Sequence, residues 1–247
     1  MFPGQEEDRE RFFARLPHLL TEKQRWDIEH AYLIAKAAHR HDERAGETDE
    51  AGNPLRYFEH PRRVAIILMD QIGCHEPLLI CAALLHDVPE DAHHITLQKL
   101  ERWFHSPTLA GLVAKISKIP KRGYLGRLQE CAKHGDWQPV LLKLCDRLHN
   151  MRSLENCTRD FQRKQGDETR RDYLPLFTEL LKRLPSVYIG GATKALEEMR
   201  YLVSRYETRR GEPDVTTPRK MTLEEISQGM AREFFEALGD DDPDIII

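Results

Sequence analysis

Four residues of this sequence carry metal-binding side chains where an apolar helical pattern would place hydrophobic ones. His60 lies in YFEHPRRVA, His86 and Asp87 are adjacent in AALLHDVPED, and Asp146 lies in LLKLCDRLHNM. Setting an imidazole or a carboxylate against Leu, Ile and Ala costs several kcal/mol unless the group is paired or coordinated. Three such segments point to one divalent cation held between helices. Two imidazoles and two carboxylates make a mixed nitrogen and oxygen set. It suits Mn, Fe, Zn or Co, and open positions would admit a water and a phosphate oxygen. No thiolate belongs to the set, which disfavours a structural zinc. The chemistry within reach is metal-assisted hydrolysis of a phosphate group.

Taken singly, each residue has a plainer reading, since a lone buried His is more often hydrogen-bonded core and a lone Asp more often a cap. The combination is more specific. Asp146, His149, Asn150 and Ser153 fall on one strip at spacings of three and four, on a helix whose other positions are rich in Leu. Glu90 and Asp91 follow His86 and Asp87 by four residues each, so on a continuous helix both carboxylates project beside the metal. There they can act as proton carriers. Pro89 works against that continuity, because it lacks a donor and clashes with the preceding turn.

The elements that must position these residues are read from periodicity. Residues 22–41 carry Trp26, Ile28, Ala31, Tyr32, Ala35 and Ala38 at helical spacing behind Thr21. Residues 42–57 are polar, with Gly and Pro, and predict a loop. Helices are predicted at 61–71, 77–88, 96–104, 107–117 and 137–154, and a helical hairpin at 170–183 and 186–206 breaks at Pro185. No strand pattern appears, so the fold class is all-α. The expected organisation is a domain over 1–206, a linker over 207–220, and an appended amphipathic helix with an acidic tail over 221–247. Thr222 and Glu225 form its capping box, ahead of Leu223, Ile226, Met230, Phe234 and Leu238.

The formal charge of −4 over 247 residues disfavours extended nucleic acid as a partner, whereas a small anionic ligand needs only a local basic patch. Five cysteines without a CxxC spacing read as reduced core residues. No apolar run reaches the roughly 20 residues of a membrane span. The expected location is the cytoplasm, with no membrane partner.

Several segments, in order, resemble the hydrolase domain of the RelA/SpoT homologues, a branch of the HD-domain phosphohydrolases. Ala37-Ala38-His39 followed by Arg44 resembles its first helix and arginine loop. YFEHPRRVAIIL resembles its His-Pro helix, AALLHDVPED its HD…ED motif, and KLCDRLHNMRSL its most distinctive segment. The resemblance covers roughly residues 25–185. It implies an all-helical HD fold and one Mn²⁺ held by His60, His86, Asp87 and Asp146. It further implies Glu90 and Asp91 as the acidic pair acting on the hydrolytic water, and Arg44, Asn150 and Ser153 against the nucleotide base. The implied reaction removes the 3′-pyrophosphate of ppGpp or pppGpp, leaving GDP or GTP. The chain departs from the family pattern at Ala45, Pro89 and Ser153, and in a longer, more acidic segment before His60. These changes bear on base and phosphate specificity. Arg44, Lys143, Arg147 and the Lys121-Arg122 pair are candidates for neutralising phosphate charge, with solvated faces as the plainer reading for most. Another nucleotide, such as a dNTP or NADPH, or a nucleotide-sensing role without turnover, remains as an alternative.

Overall fold

The computed structural model describes residues 8–49, 51 and 53–208. Two N-terminal helices, α1 (Arg9–Phe13) and α2 (Glu22–Ala38), start at side-chain caps. Thr21 Oγ1 accepts from the Gln24 N–H, and Gln24 Oε1 accepts in turn from the Thr21 N–H. This reciprocal box satisfies two orphan donors. The α2 stripe of Ile28, Ala31, Tyr32 and Ala35 is fully buried. Trp26, expected with that stripe, is 53% exposed and rests on His30, ring centroids 4.5 Å apart. It precedes Ile28 by two positions, which turns it to the opposite helix face.

The segment expected as a loop at 42–57 is instead an antiparallel hairpin of β1 (Glu43–Thr48) and β2 (Pro54–Arg56). Glu43 pairs with Arg56 and Thr48 with Pro54, with a register irregularity between. Asp49 builds the turn: its Oδ1 accepts from the Ala51 and Asn53 N–H groups at 2.9 and 2.8 Å, as short acidic side chains do in turns. The hairpin shows no alternation of apolar residues because Leu55 is the one buried side chain of its second strand. Ion pairs and the turn hold it.

Helix α3 (Glu59–Ile66) continues as a π-helical stretch, Ile67–Ile72, and stops where Gly73 takes a left-handed φ of 79°. The central apolar helix, α4 (Pro77–Leu85), ends sooner than the predicted 88. Pro89 has no N–H for a bond to the Leu85 carbonyl and would crowd it. The chain passes through His86 and Asp87 and restarts as the single turn α5 (Val88–Asp91). Helices α6 (Leu97–Phe104) and α7 (Pro107–Ile116) begin at Thr96 and Ser106 caps. Helix α8 (Tyr124–Lys133), which periodicity did not reveal, packs against α9 (Trp137–Arg152). A 3₁₀ turn, Ser153–Asn156, follows and touches β1.

The chain then forms α10 (Arg159–Glu168), a π turn at Thr169–Tyr173, α11 (Leu174–Leu181) and α12 (Ser186–Thr208). Helix α12 thus includes the first two residues of the expected linker. The rest of the linker, and the terminal helix and tail expected over 221–247, lie outside the described residues. The core is one cluster in which α4 packs against α2, α3, α7 and α9, and α12 closes over α9 and the π stretch after α3. Among the described residues no helix is long and apolar enough to cross a membrane.

Candidate metal centre and its polar neighbours

The metal-type residues come from three places in the core. His60 is the second residue of α3, His86 and Asp87 occupy the break between α4 and α5, and Asp146 sits mid-way along α9. All four are at least 90% buried. One donor atom from each of His60, His86 and Asp146 lies within 4.8 Å of the others. Asp87 joins them through Oδ2, 3.1 Å from His86 Nε2 and 3.3 Å from His60 Nε2. The Asp146 Oδ1 atom is 3.1 Å from His60 Nε2 and 3.8 Å from His86 Nε2.

The groups around this cluster fix which atoms face it. His86 Nδ1–H donates to the Ala83 carbonyl at 2.8 Å, while its buried Nε2 has no hydrogen-bond partner. That orphaned nitrogen, turned toward two carboxylates, fits a cation. His60 Nδ1 lies 2.9 Å from His149 Nδ1. Burial, with His60, Arg44 and Arg63 nearby, holds His149 well below the usual imidazole range, so it is neutral. A neutral His149 can accept from His60 Nδ1–H, the tautomer that would leave His60 Nε2 to face an ion, as in the usual outer support of a ligating histidine. Tyr57 Oη–H donates to Asp87 Oδ2 at 2.8 Å. Asp146 accepts from Lys143 Nζ at 2.5 Å and from Asn150 Nδ2 at 2.7 Å. Burial opposes ionisation of both carboxyls. Neighbouring positive charge and hydrogen bonds outweigh it: His86, with a bond from His60, at Asp87, and Lys143, with a bond from His60 and the nearby His86, at Asp146. Both sit well below the usual carboxylate range.

Glu90 and Asp91 do not continue the α4 helix. Both lie in α5, whose turn redirects them. They line a small cleft with Asp42, Tyr57 and His93. Glu90 Oε1 accepts from the Lys118 N–H at 2.6 Å, and Asp91 Oδ2 lies 3.8 Å from His39 Nδ1. Burial raises both carboxyls above their ordinary values, and the Asp87 charge adds to this.

Arg44, Asn150 and Ser153 come together. From β1, Arg44 Nη2 donates to Asn150 Oδ1 at 2.5 Å and to Ser153 Oγ at 3.3 Å, while Nε donates to Glu47 Oε1 at 3.0 Å. Asn150 thus bridges the arginine to Asp146. Lys143 and Arg147, expected from sequence as candidates for neutralising phosphate charge, are engaged within the fold. Lys143 is the buried partner of Asp146, and Arg147 donates to Thr169 Oγ1 and the Gln165 carbonyl and faces Glu168 at 3.1 Å. Lys121 and Arg122 are exposed.

Sequence reading assigned no role to Tyr57 or Ser117 and left His149 as one member of a polar strip. Ser117 Oγ–H donates to the His86 carbonyl that the helix break leaves open, at 2.8 Å. Only the tertiary fold brings it there.

Residues 31–185 match the HD domain family model. The chain is 36% identical over 166 residues to the bifunctional (p)ppGpp synthase/hydrolase SpoT of Escherichia coli K12, covering 64% of this chain and 22% of that protein. It is 32% identical over 206 residues to a guanosine-3′,5′-bis(diphosphate) 3′-pyrophosphohydrolase of Haemophilus influenzae, covering 79% of this chain and 28% of that one. The chain therefore spans only about a quarter of the length of these relatives. Among solved structures, one described as a metazoan ortholog of SpoT that hydrolyzes ppGpp has a similar fold. Its TM-score is 0.52 at 22% identity, over 79% of this chain and 99% of that one.

Proposed function

The chain belongs to the HD-domain family and is related to its RelA/SpoT hydrolases, and from that premise we propose that it removes the 3′-pyrophosphate of ppGpp and pppGpp. One observation carries the reading: Asn150 hydrogen-bonds the metal-type Asp146 on one side and Arg44 on the other. The residues we assign to the nucleotide base would thereby adjoin the residues we assign to the cation. The activity named for the Haemophilus influenzae relative supports the same substrate.

His60, His86, Asp87 and Asp146 would hold the cation, which we read as Mn²⁺ from the mixed imidazole and carboxylate donors. When bound, it supplies Lewis acidity at a phosphoryl oxygen. The protein's own groups do the rest. His149, Ala83, Tyr57 and Lys143 hold the four side chains in the required tautomers and orientations. Glu90, its carboxyl raised by burial and anchored by the Lys118 N–H, is suited to take a proton from the attacking water. Asp91 beside it shares that role. Arg44, Asn150 and Ser153 would orient the guanine base. A polar nucleotide substrate and an overall acidic chain fit a cytoplasmic enzyme that binds neither extended nucleic acid nor membrane.

The test is pyrophosphate release from ppGpp by the purified chain, with Mn²⁺ and with chelator. Rapid, metal-dependent release is expected. A tenfold or greater kinetic preference for a dNTP or NADPH would overturn the alarmone assignment. Metal binding with no turnover on any of these substrates would leave a nucleotide-sensing module instead.

A further inference from the structure

A second cleft, of about 290 Å³, lies between the N-terminal helices, β2 and α3. It contains none of the metal-type residues and none of Arg44, Asn150 and Ser153. Its walls are cationic in a chain whose net charge is −4: Arg9, Lys36, Arg40, Arg56 and Arg62 line it with two acids, Asp8 and Glu59. Since Arg9 is ion-paired with Glu29 and Arg62 with Glu59, Lys36, Arg40 and Arg56 are its cations without an acidic partner among the described residues. Both acids are already engaged. Asp8 caps α1 through the Arg11 N–H, and Glu59 is paired with Arg62 and lies 3.9 Å from Arg63 Nε. Lys36 and Arg56 are exposed, and their side chains make no hydrogen bond or ion pair with another described residue.

Two wall residues keep buried nitrogens without partners. Arg62 is 6% exposed; its Nη1 donates to Tyr32 Oη at 2.8 Å, yet its Nε–H has no acceptor. His39 is fully buried, and its Nε2 is likewise unpartnered. Its other nitrogen, Nδ1, faces Asp42 at 3.3 Å and Asp91 at 3.8 Å. An unmade bond at a buried guanidinium is costly, and an anion in the cleft would supply the missing acceptor.

We propose that this cleft is a second anion-binding site, for a phosphoryl group, separate from the metal centre. The cavity is at the small end of ligand pockets, which suits a phosphate or pyrophosphate group rather than a whole nucleotide. Guanidinium-rich walls favour multidentate phosphoryl oxygens over halide. The site rests on its own geometry and holds whether or not ppGpp is the substrate of the metal centre. His39 lines the cleft, and its Nδ1 lies 3.8 Å from Asp91 Oδ2.

The experiment is calorimetric titration of the full chain, in chelator, with inorganic phosphate, pyrophosphate and GTP. The double variant Lys36→Glu/Arg56→Glu alters two exposed side chains and leaves the folded core untouched. Saturable binding is expected, weakened roughly tenfold or more in that variant and retained in Asp146→Asn. Tighter binding of pyrophosphate than of GTP assigns the site to the free anion, and the reverse order assigns it to a nucleotide-borne phosphoryl group. Binding unchanged in the double variant, lost in Asp146→Asn, or absent for all three probes overturns the proposal. The failure is distinguishable from failure of the alarmone reading, because ppGpp turnover is measured with metal and this binding without it.

Discussion

Asp146 and Glu90 are both acidic and both near the centre, yet their surroundings suit them to different proposed roles. Asp146 is surrounded by Lys143, His60 and His86, which keep it ionised against burial, as a metal ligand requires. Glu90 is raised by burial and held by one backbone N–H, as a proton carrier requires. Substitution separates the two roles. Asp146→Asn is expected to weaken Mn²⁺ binding by more than about 100-fold, since outer-shell changes alone cost 10–100-fold, and to abolish turnover. Full Mn²⁺ retention, read by equilibrium dialysis, would refute the ligand set. Glu90→Gln keeps an acceptor for the Lys118 N–H, so the metal should stay bound while kcat falls by about 10²–10⁴. Normal turnover in that variant removes Glu90 from the mechanism. At this scale the sequence was most legible where charge stood against an apolar pattern. His60, His86, Asp87 and Asp146 show that contradiction and do converge. Tyr57 and Ser117 do not show it, because a hydroxyl in a helical sequence costs little and signals nothing until its partner is known.

Elements were legible where burial follows one period and illegible where it does not. Helices α4 and α9 carry long Leu-rich patterns, and Pro89 in the sequence already warned of the break that places His86 and Asp87. The β1–β2 hairpin buries too little to show alternation, so its strands were missed. A π stretch has no periodic signature of its own, and the one after α3 was read as plain helix. That stretch sets a steric condition elsewhere. A Cβ on Gly191 of α12 would sit 2.6 Å from Ile72 Cα and closer still to the Gln71 carbonyl oxygen. Both neighbours are backbone and cannot rotate away. Gly191→Ala is therefore expected to destabilise the fold by about 1–3 kcal/mol through overpacking. The adjacent Gly190 has open space, and Gly190→Ala should gain about 0.5–1 kcal/mol from helix propensity. Urea midpoints of the two variants check the contrast. Equal shifts would mean that α12 does not approach the π stretch so closely.

The whole molecule feels the centre because α3, the α4–α5 break and α9 meet there, and these same helices make the core. Without a cation, a proton on His86 takes the cation's place. Burial disfavours that proton, but Asp87 and Asp146 outweigh it and lift His86 to about 9 from its ordinary 6.5. A histidine whose folded value is raised contributes stability that is fully present below pH 6.5 and is lost as pH rises through about 9. His149 does not mask this, since its lowered value matters only below 6.5. Asp87 and Asp146, held low, matter only in acid. The chelated protein should therefore lose on the order of 1–3 kcal/mol between pH 6.5 and 9. With Mn²⁺ the trend opposes this loss, because each step up in pH removes the competing proton and tightens the metal. The gap in thermal midpoint between metal-loaded and chelated protein should widen steadily across that window. A gap that is constant or narrows would show that His86 and the cation do not compete for the same nitrogen, and the centre would have to be rebuilt without His86.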